Sequence, residues 1–212
     1  MSNQNPMLAQ VLRLSPVIPV LVIERTADAL PLARALLAGG LKVLEITLRT
    51  PNALEVIETL ARQLPEAVIA AGTVTTPAQW DAAARAGAKF AVSPGLTPTL
   101  IQHAPSAPIP LLPGVSTASE LMTALDAGFA CFKFFPAQQA GGPALLKAFG
   151  GPFPDALFCP TGGITFDTAP DFLALPNVAC VGGSWLAPAA ALHAGDWTTI
   201  TALAQATAKL ST

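Results

Sequence analysis

Lys133 sits in the run Cys131-Phe132-Lys133-Phe134-Phe135-Pro136, an ammonium among three phenylalanines in a chain with few charges. A buried ammonium is costly, so the position needs a route for the charge to reach water or a chemical use for the amine. Strand alternation puts Cys131, Lys133 and Phe135 on one face and Phe132 and Phe134 on the other. Apolar surroundings penalise the ammonium and favour the free amine, the form that condenses with a ketone to a Schiff base. A lysine that merely snorkels is the competing reading; the apolar setting favours chemistry.

Other candidates collect where strands end. The run Val43-Leu44-Glu45-Ile46-Thr47-Leu48-Arg49 sends Leu44, Ile46 and Leu48 to one side, and Glu45 and Thr47 to the other, with Arg49 just beyond. An ordinary Glu45–Arg49 ion pair is the bland reading, but charges on a sheet covered on both sides are usually functional. Thr161-Gly162-Gly163 and Gly182-Gly183-Ser184 end the last two strand-like runs. Glycines there are tight turns or, at two consecutive strand ends, a backbone cradle for an anion. Thr73, in Ala71-Gly72-Thr73-Val74-Thr75, is the hydroxyl best placed to touch a ligand.

These groups need a scaffold that brings strand ends together. Strand-like runs at 17–23, 43–48, 68–71, 89–92, 109–112, 130–135, 157–160 and 178–181 alternate with helix-like segments at 27–39, 52–64, 77–86, 97–104, 117–127, 142–149, 167–174 and 187–207. Asp28, Asn52, Thr76 and Thr117 are expected helix caps, and Gly39-Gly40, Gly87 and Gly128 expected helix ends. The alternation predicts right-handed βαβ units and a parallel sheet. About eight units predict a (β/α)8 TIM barrel, with residues 1–212 as one domain and a short N-terminal helix from Met7 to Leu14 closing its floor. An open doubly wound sheet is the rival, and its usual GxGxxG turn is absent.

Composition narrows the function. The formal net charge is −2, which leaves no basic face for nucleic acid. Every apolar run is broken well before the ~18 residues a membrane span requires, and a cytoplasmic protein is expected. Cys131, Cys159 and Cys180 are dispersed in apolar runs, and His103 and His193 stand alone, so neither disulfides nor a metal site are expected. Charged residues make up 11%, against about 25% in typical soluble domains. A second subunit is expected to cover part of the surface.

The motifs Ile18-Pro19-Val20, Leu44-Glu45-Ile46-Thr47-Leu48-Arg49, Ala71-Gly72-Thr73-Val74, Ser93-Pro94-Gly95, Pro113-Gly114-Val115, Phe132-Lys133-Phe134-Phe135-Pro136, Pro160-Thr161-Gly162-Gly163-Ile164 and Val181-Gly182-Gly183-Ser184-Trp185 together resemble the 2-keto-3-deoxy-6-phosphogluconate (KDPG) aldolase family. The resemblance spans nearly the whole chain. It implies a class I aldolase, free of metal and cofactor, that cleaves KDPG to pyruvate and glyceraldehyde 3-phosphate in the Entner–Doudoroff pathway. It implies Lys133 as the Schiff-base lysine and Glu45 as the acid/base. It implies Arg49 and Thr73 on the pyruvate carboxylate, with Pro94 and Phe135 as further substrate contacts. Thr161 matches a residue of stereochemical control, and Gly162, Gly163, Gly183 and Ser184 match the phosphate site. A homotrimer is also implied.

Elementary chemistry agrees at three points. Cleaving a bond beside a carbinol needs an electron sink, which a Lys133 iminium supplies without metal. Glu45 is placed to take the hydroxyl proton. Arg49 can grip a planar carboxylate through two parallel hydrogen bonds. Two alternatives remain at this stage: the phosphogalactonate epimer or 4-hydroxy-2-oxoglutarate as substrate, and a phosphate-binding barrel without Schiff-base chemistry.

Overall fold

The structure, a computed structural model, describes residues 4–210. Nine short strands run in chain order: β1 (Val17–Leu21), β2 (Val43–Thr47), β3 (Val68–Gly72), β4 (Phe90–Val92), β5 (Leu111–Leu112), β6 (Gly114–Val115), β7 (Cys131–Phe134), β8 (Leu157–Pro160) and β9 (Val181–Gly183). The helices are α1 (Gln4–Leu12), α2 (Thr26–Ala38), α3 (Ala53–Gln63), α4 (Pro77–Arg85), α5 (Pro98–His103), α6 (Ala118–Asp126), α7 (Gly142–Phe149), α8 (Ala169–Leu173), α9 (Ala189–Ala194) and α10 (Trp197–Thr207). Every paired neighbour is parallel, as strand–helix–strand crossovers dictate.

The fold is α/β, with the strands in a six-stranded sheet, β5-β4-β3-β2-β1-β9, and a three-stranded sheet, β6-β7-β8. The expectation of one unbroken eight-stranded sheet is therefore met only in part. The division falls at Pro113, between β5 on β4 and β6 on β7. Proline has no N–H for a ladder, and the chain changes partners there, its carbonyl accepting from the Lys133 amide at 2.9 Å. At the far side β8 touches the β9 segment through isolated parallel bridges, Phe158 to Val178 and Thr161 to Gly182.

Alternation sorts the core into two layers. Leu44, Ile46, Phe132 and Phe134 face the helices, while Val43, Ala70, Phe90, Cys131 and Cys159 form a second cluster. Leu8 and Leu12 of α1 pack into that second cluster, which gives the N-terminal helix the floor position expected of it. Phe132 and Phe158 meet at 5.8 Å between ring centroids, and each fully buried ring contributes about 1.5–3 kcal/mol. Cys131, Cys159 and Cys180 are free and buried.

Some local expectations needed correction. Thr76 and Thr117 cap α4 and α6, Thr117 in a capping box with Glu120. Asp28 and Asn52 do not cap. Asp28 lies inside the first turn of α2, paired with Arg25 at 2.7 Å. The Asn52 side-chain amide donates instead to the Glu24 carbonyl at 3.2 Å and to Thr26. The segment 187–207 is two helices: Gly195 takes a left-handed φ of 64° that ends α9, and Asp196 caps α10 by accepting from the Thr199 amide at 3.0 Å. Among the described residues no helix is long and apolar enough to cross a membrane.

Candidate active site

The C-terminal ends of the strands converge on a cavity of about 310 Å³. Lys133 lies within β7, and Arg49, Thr73, Pro94, Phe135 and Thr161-Gly162-Gly163 follow the ends of β2, β3, β4, β7 and β8; all of these line it, with Ser184 after β9. So nine of the eleven residues singled out from sequence share one cavity.

Glu45 lies behind the wall rather than on it. Its Oε1 is 3.7 Å from Lys133 Nζ, with side-chain exposures of 5% and 7%. That separation is longer than a hydrogen bond, and Oε1 has no hydrogen-bond partner among the described residues. The lysine therefore does not snorkel: its amine ends inside, between a carboxylate and an aromatic face, 5.0 Å from the Phe135 ring centroid. Gly183 is the other residue off the cavity. A side chain there would collide with the Trp185 ring, so its smallness serves packing.

Arg49 is exposed, and among the described residues its guanidinium has no carboxylate partner. The ion pair with Glu45 considered from sequence is absent, because Glu45 is taken up by Lys133. An unpaired guanidinium at the mouth of the cavity is free to bind an anion.

Thr73 is the one non-glycine residue with positive φ among those described, at 61°. A β-branched residue held there carries backbone strain of about 1–3 kcal/mol, a feature that concentrates at functional sites. Gly162 and Gly163 follow one another at φ of 105° and 74°. A Cβ on Gly163 would lie 2.8 Å from Gln138 Cβ, so both torsion and space demand glycine. A glycine turn of this kind leaves successive backbone N–H groups open to an anion. The loop is tied down by Ala137 N donating to Thr161 O at 2.8 Å and Gln138 N to Gly162 O at 3.0 Å.

Val20 and Ile164, to which sequence reasoning gave no role, also line the cavity, as does Gly182 of the second predicted glycine pair. Val20 shares its strand face with Ile18, a signal available from alternation; Ile164 directly follows the first glycine pair. Among the described residues there is no group of three or more His, Cys, Asp or Glu able to hold a metal.

The chemistry offered is that of an amine nucleophile, a carboxylate beside it, an exposed cation on the cavity wall and a glycine turn on the same cavity. Comparison with known proteins gives the chain as a whole a lineage. The family model described as "Aldolase: KDPG and KHG aldolase" matches residues 8–203. The chain is 52% identical to the 2-dehydro-3-deoxy-phosphogluconate aldolase of Dickeya dadantii over 205 residues, 97% of this chain and 96% of that protein. It is 50% identical to the KHG/KDPG aldolase of Escherichia coli over 205 residues, again 97% and 96% of the two chains. In structure it superposes with a TM-score of 0.93 and 51% identity on the KDPG aldolase of Legionella pneumophila, captured with pyruvate as a covalent carbinolamine, over 95% of this chain and 98% of that one.

Proposed function

The chain belongs to the KDPG and KHG aldolase family, and on that premise we propose that it is a class I aldolase cleaving 2-keto-3-deoxy-6-phosphogluconate to pyruvate and glyceraldehyde 3-phosphate. The observation that carries the mechanism is the buried amine of Lys133 at the cavity wall, 3.7 Å from Glu45. The covalent carbinolamine with pyruvate in the Legionella relative favours this reading over a phosphate-binding barrel without Schiff-base chemistry.

Lys133 Nζ attacks the C2 ketone. The carbinolamine loses water to give an iminium, which draws electrons from the C3–C4 bond as Glu45 takes the C4 hydroxyl proton through water. The bond breaks, glyceraldehyde 3-phosphate departs, and the pyruvyl fragment remains as an enamine. Glu45 then delivers a proton to C3, and hydrolysis frees pyruvate and Lys133. A positioned base of this kind contributes about 10²–10⁴-fold. Arg49 and Thr73 hold the carboxylate, Pro94 and Phe135 pack on the pyruvyl end, and Thr161 lies beside the carbinol. Gly162, Gly163 and Ser184 receive the phosphate, with Gly183 serving the site only by letting the loop that carries Ser184 pack against Trp185, and this loop set favours phosphorylated substrates over 4-hydroxy-2-oxoglutarate. The latter is a side substrate, in keeping with the joint name of the E. coli relative.

Three coarser features complete the proposal. Residues 1–212 act as a single domain whose two sheets work together as a (β/α)8 barrel, a reading supported by the bridges between β8 and the β9 segment. The enzyme is a cytoplasmic homotrimer. The low charged fraction and exposed apolar side chains such as Met122, Leu54 and Phe166 support subunit association.

Borohydride reduction with pyruvate, followed by peptide mapping, tests the central claim. A single reduced pyruvyl adduct on Lys133 is expected, and Lys133→Ala should lose both adduct and turnover while staying folded. A folded wild-type protein that forms no adduct would refute it.

A further inference from the structure

Gly72 ends β3, in register with Thr47 of β2. Its φ is not among the positive values that call for glycine, so the backbone there would accept other residues. Space would not. A Cβ at Gly72 would overlap Glu45 Oε1 and lie 2.8 Å from both Cδ and Cγ of the same side chain. Glu45 pairs in register with Ala70, so its carboxylate leans along the sheet into the gap that Gly72 leaves.

Among the described residues no hydrogen bond holds that oxygen, which is buried, and its nearest ionic neighbour, Lys133 Nζ, stands at 3.7 Å. A carboxylate fixed by hydrogen bonds would keep its place through small changes around it; one located by shape will not. We infer that Gly72 is a positioning residue for the reaction: the absence of its side chain sets where the Glu45 carboxylate stands relative to Lys133. This rests on the aldolase reading above, which makes Glu45 the group that moves protons on the pyruvyl fragment.

A methyl group at residue 72 forces the Glu45 carboxylate to swing aside, either against Lys133 or away from it. In neither position does it keep its alignment with C3. The amine itself is untouched, so Schiff-base formation and proton transfer should come apart. Misplacement by about 1 Å costs on the order of 10²-fold in a positioned step.

The test measures both steps in one enzyme, with pyruvate alone. Schiff-base formation is read by borohydride trapping, and proton transfer by exchange of the pyruvate C3 protons in deuterium oxide. In that exchange the iminium gives a C3 proton to Glu45 and the resulting enamine takes a deuteron back. Gly72→Ala should keep trapping and apparent pyruvate affinity within about threefold of wild type while exchange falls roughly 10²-fold. Glu45→Asp, one methylene shorter, should slow exchange in the wild-type background. Combined with Gly72→Ala it should raise exchange at least about tenfold over Gly72→Ala alone, because the shortened side chain withdraws from the added methyl.

That reversal of sign is something a loss of general stability does not produce. Exchange in Gly72→Ala within about threefold of wild type, trapping and exchange falling together, or no recovery in the double variant would each overturn the inference. If Gly72→Ala alone fails to fold, the double variant must fold, and its failure to do so overturns the inference equally. A wild-type protein that traps no pyruvate refutes the aldolase reading before any variant is compared, and this inference with it. Normal wild-type trapping with any of the other adverse results refutes the role of Gly72 alone.

Discussion

Lys133→Met removes the ammonium and keeps most of the side chain's volume, leaving Glu45 buried at 4% exposure. The lost attraction is set by the 3.7 Å separation: at an effective dielectric near 20, two unit charges so placed attract by about 4 kcal/mol. In the intact pair, the cost of stripping water from both groups offsets most of that. Deleting one partner leaves the other's desolvation uncompensated, about 3–5 kcal/mol in buried pairs. Lys133→Met should therefore lose about 3 kcal/mol of stability, a fall in Tm of roughly 6–12 °C for a chain of this size. Glu45→Met, which strands the ammonium, should lose a similar amount. The double variant should unfold near the wild-type midpoint, since two apolar side chains fill the site with no charge left over. Urea unfolding followed by tryptophan fluorescence is the assay, with Trp80 fully buried as an internal probe. The four proteins give a coupling energy, expected at about 6 kcal/mol in magnitude because neither single loss of about 3 kcal/mol survives in the double variant. A double variant that loses the sum of the two single losses would refute the reasoning, because Lys133 and Glu45 would then not sense one another's charge.

Ser184→Ala removes a hydroxyl from the cavity rim. It should weaken phosphorylated substrate by about tenfold, the scale of one hydrogen bond to a charged group, while leaving pyruvate trapping unchanged. Equal loss for both would move the phosphate site elsewhere. Burial pushes the Cys131 thiol up to about 11, against a smaller opposing pull from Arg13. Its folded pKa is thus above the unfolded value of about 8.5. The thiol's contribution is complete below that pH and is lost as pH rises toward 11. Wild-type stability should fall more steeply between about pH 9 and 11 than that of Cys131→Ala. Parallel slopes in denaturant melts would show that the thiol does not titrate late.

Legibility followed the range of the interaction. The faces of β2 and β7 were readable because a period of two is local: Leu44 and Ile46, like Phe132 and Phe134, do face the helices. Thr117 with Glu120 was readable for the same reason, since both partners of that cap lie within one turn. Asn52 was misread because its side chain finds partners in the segment after β1, at Glu24 and Thr26, a contact no local pattern carries. The break at Gly195-Asp196 was visible as a helix stop followed by a cap, yet the apolar period on both sides concealed it. Val20 and Ile164 join the cavity only through strand neighbours distant in sequence.

The sequence alone determined which groups are available for chemistry and which end of each strand carries them, because residue type and alternation are properties of short stretches. It placed Lys133 in apolar company, Arg49 beyond a strand end, and glycines where loops turn. The tertiary structure decided who pairs with whom. Glu45 stands next to Lys133 rather than Arg49 because β2 and β7 both turn these side chains inward, and no spacing within either strand encodes that meeting. It also gave Gly72 a meaning the chain could not: it is small because a neighbouring strand's carboxylate occupies the place its side chain would take. Electrostatics and excluded volume act through space, and only the folded chain sets those distances.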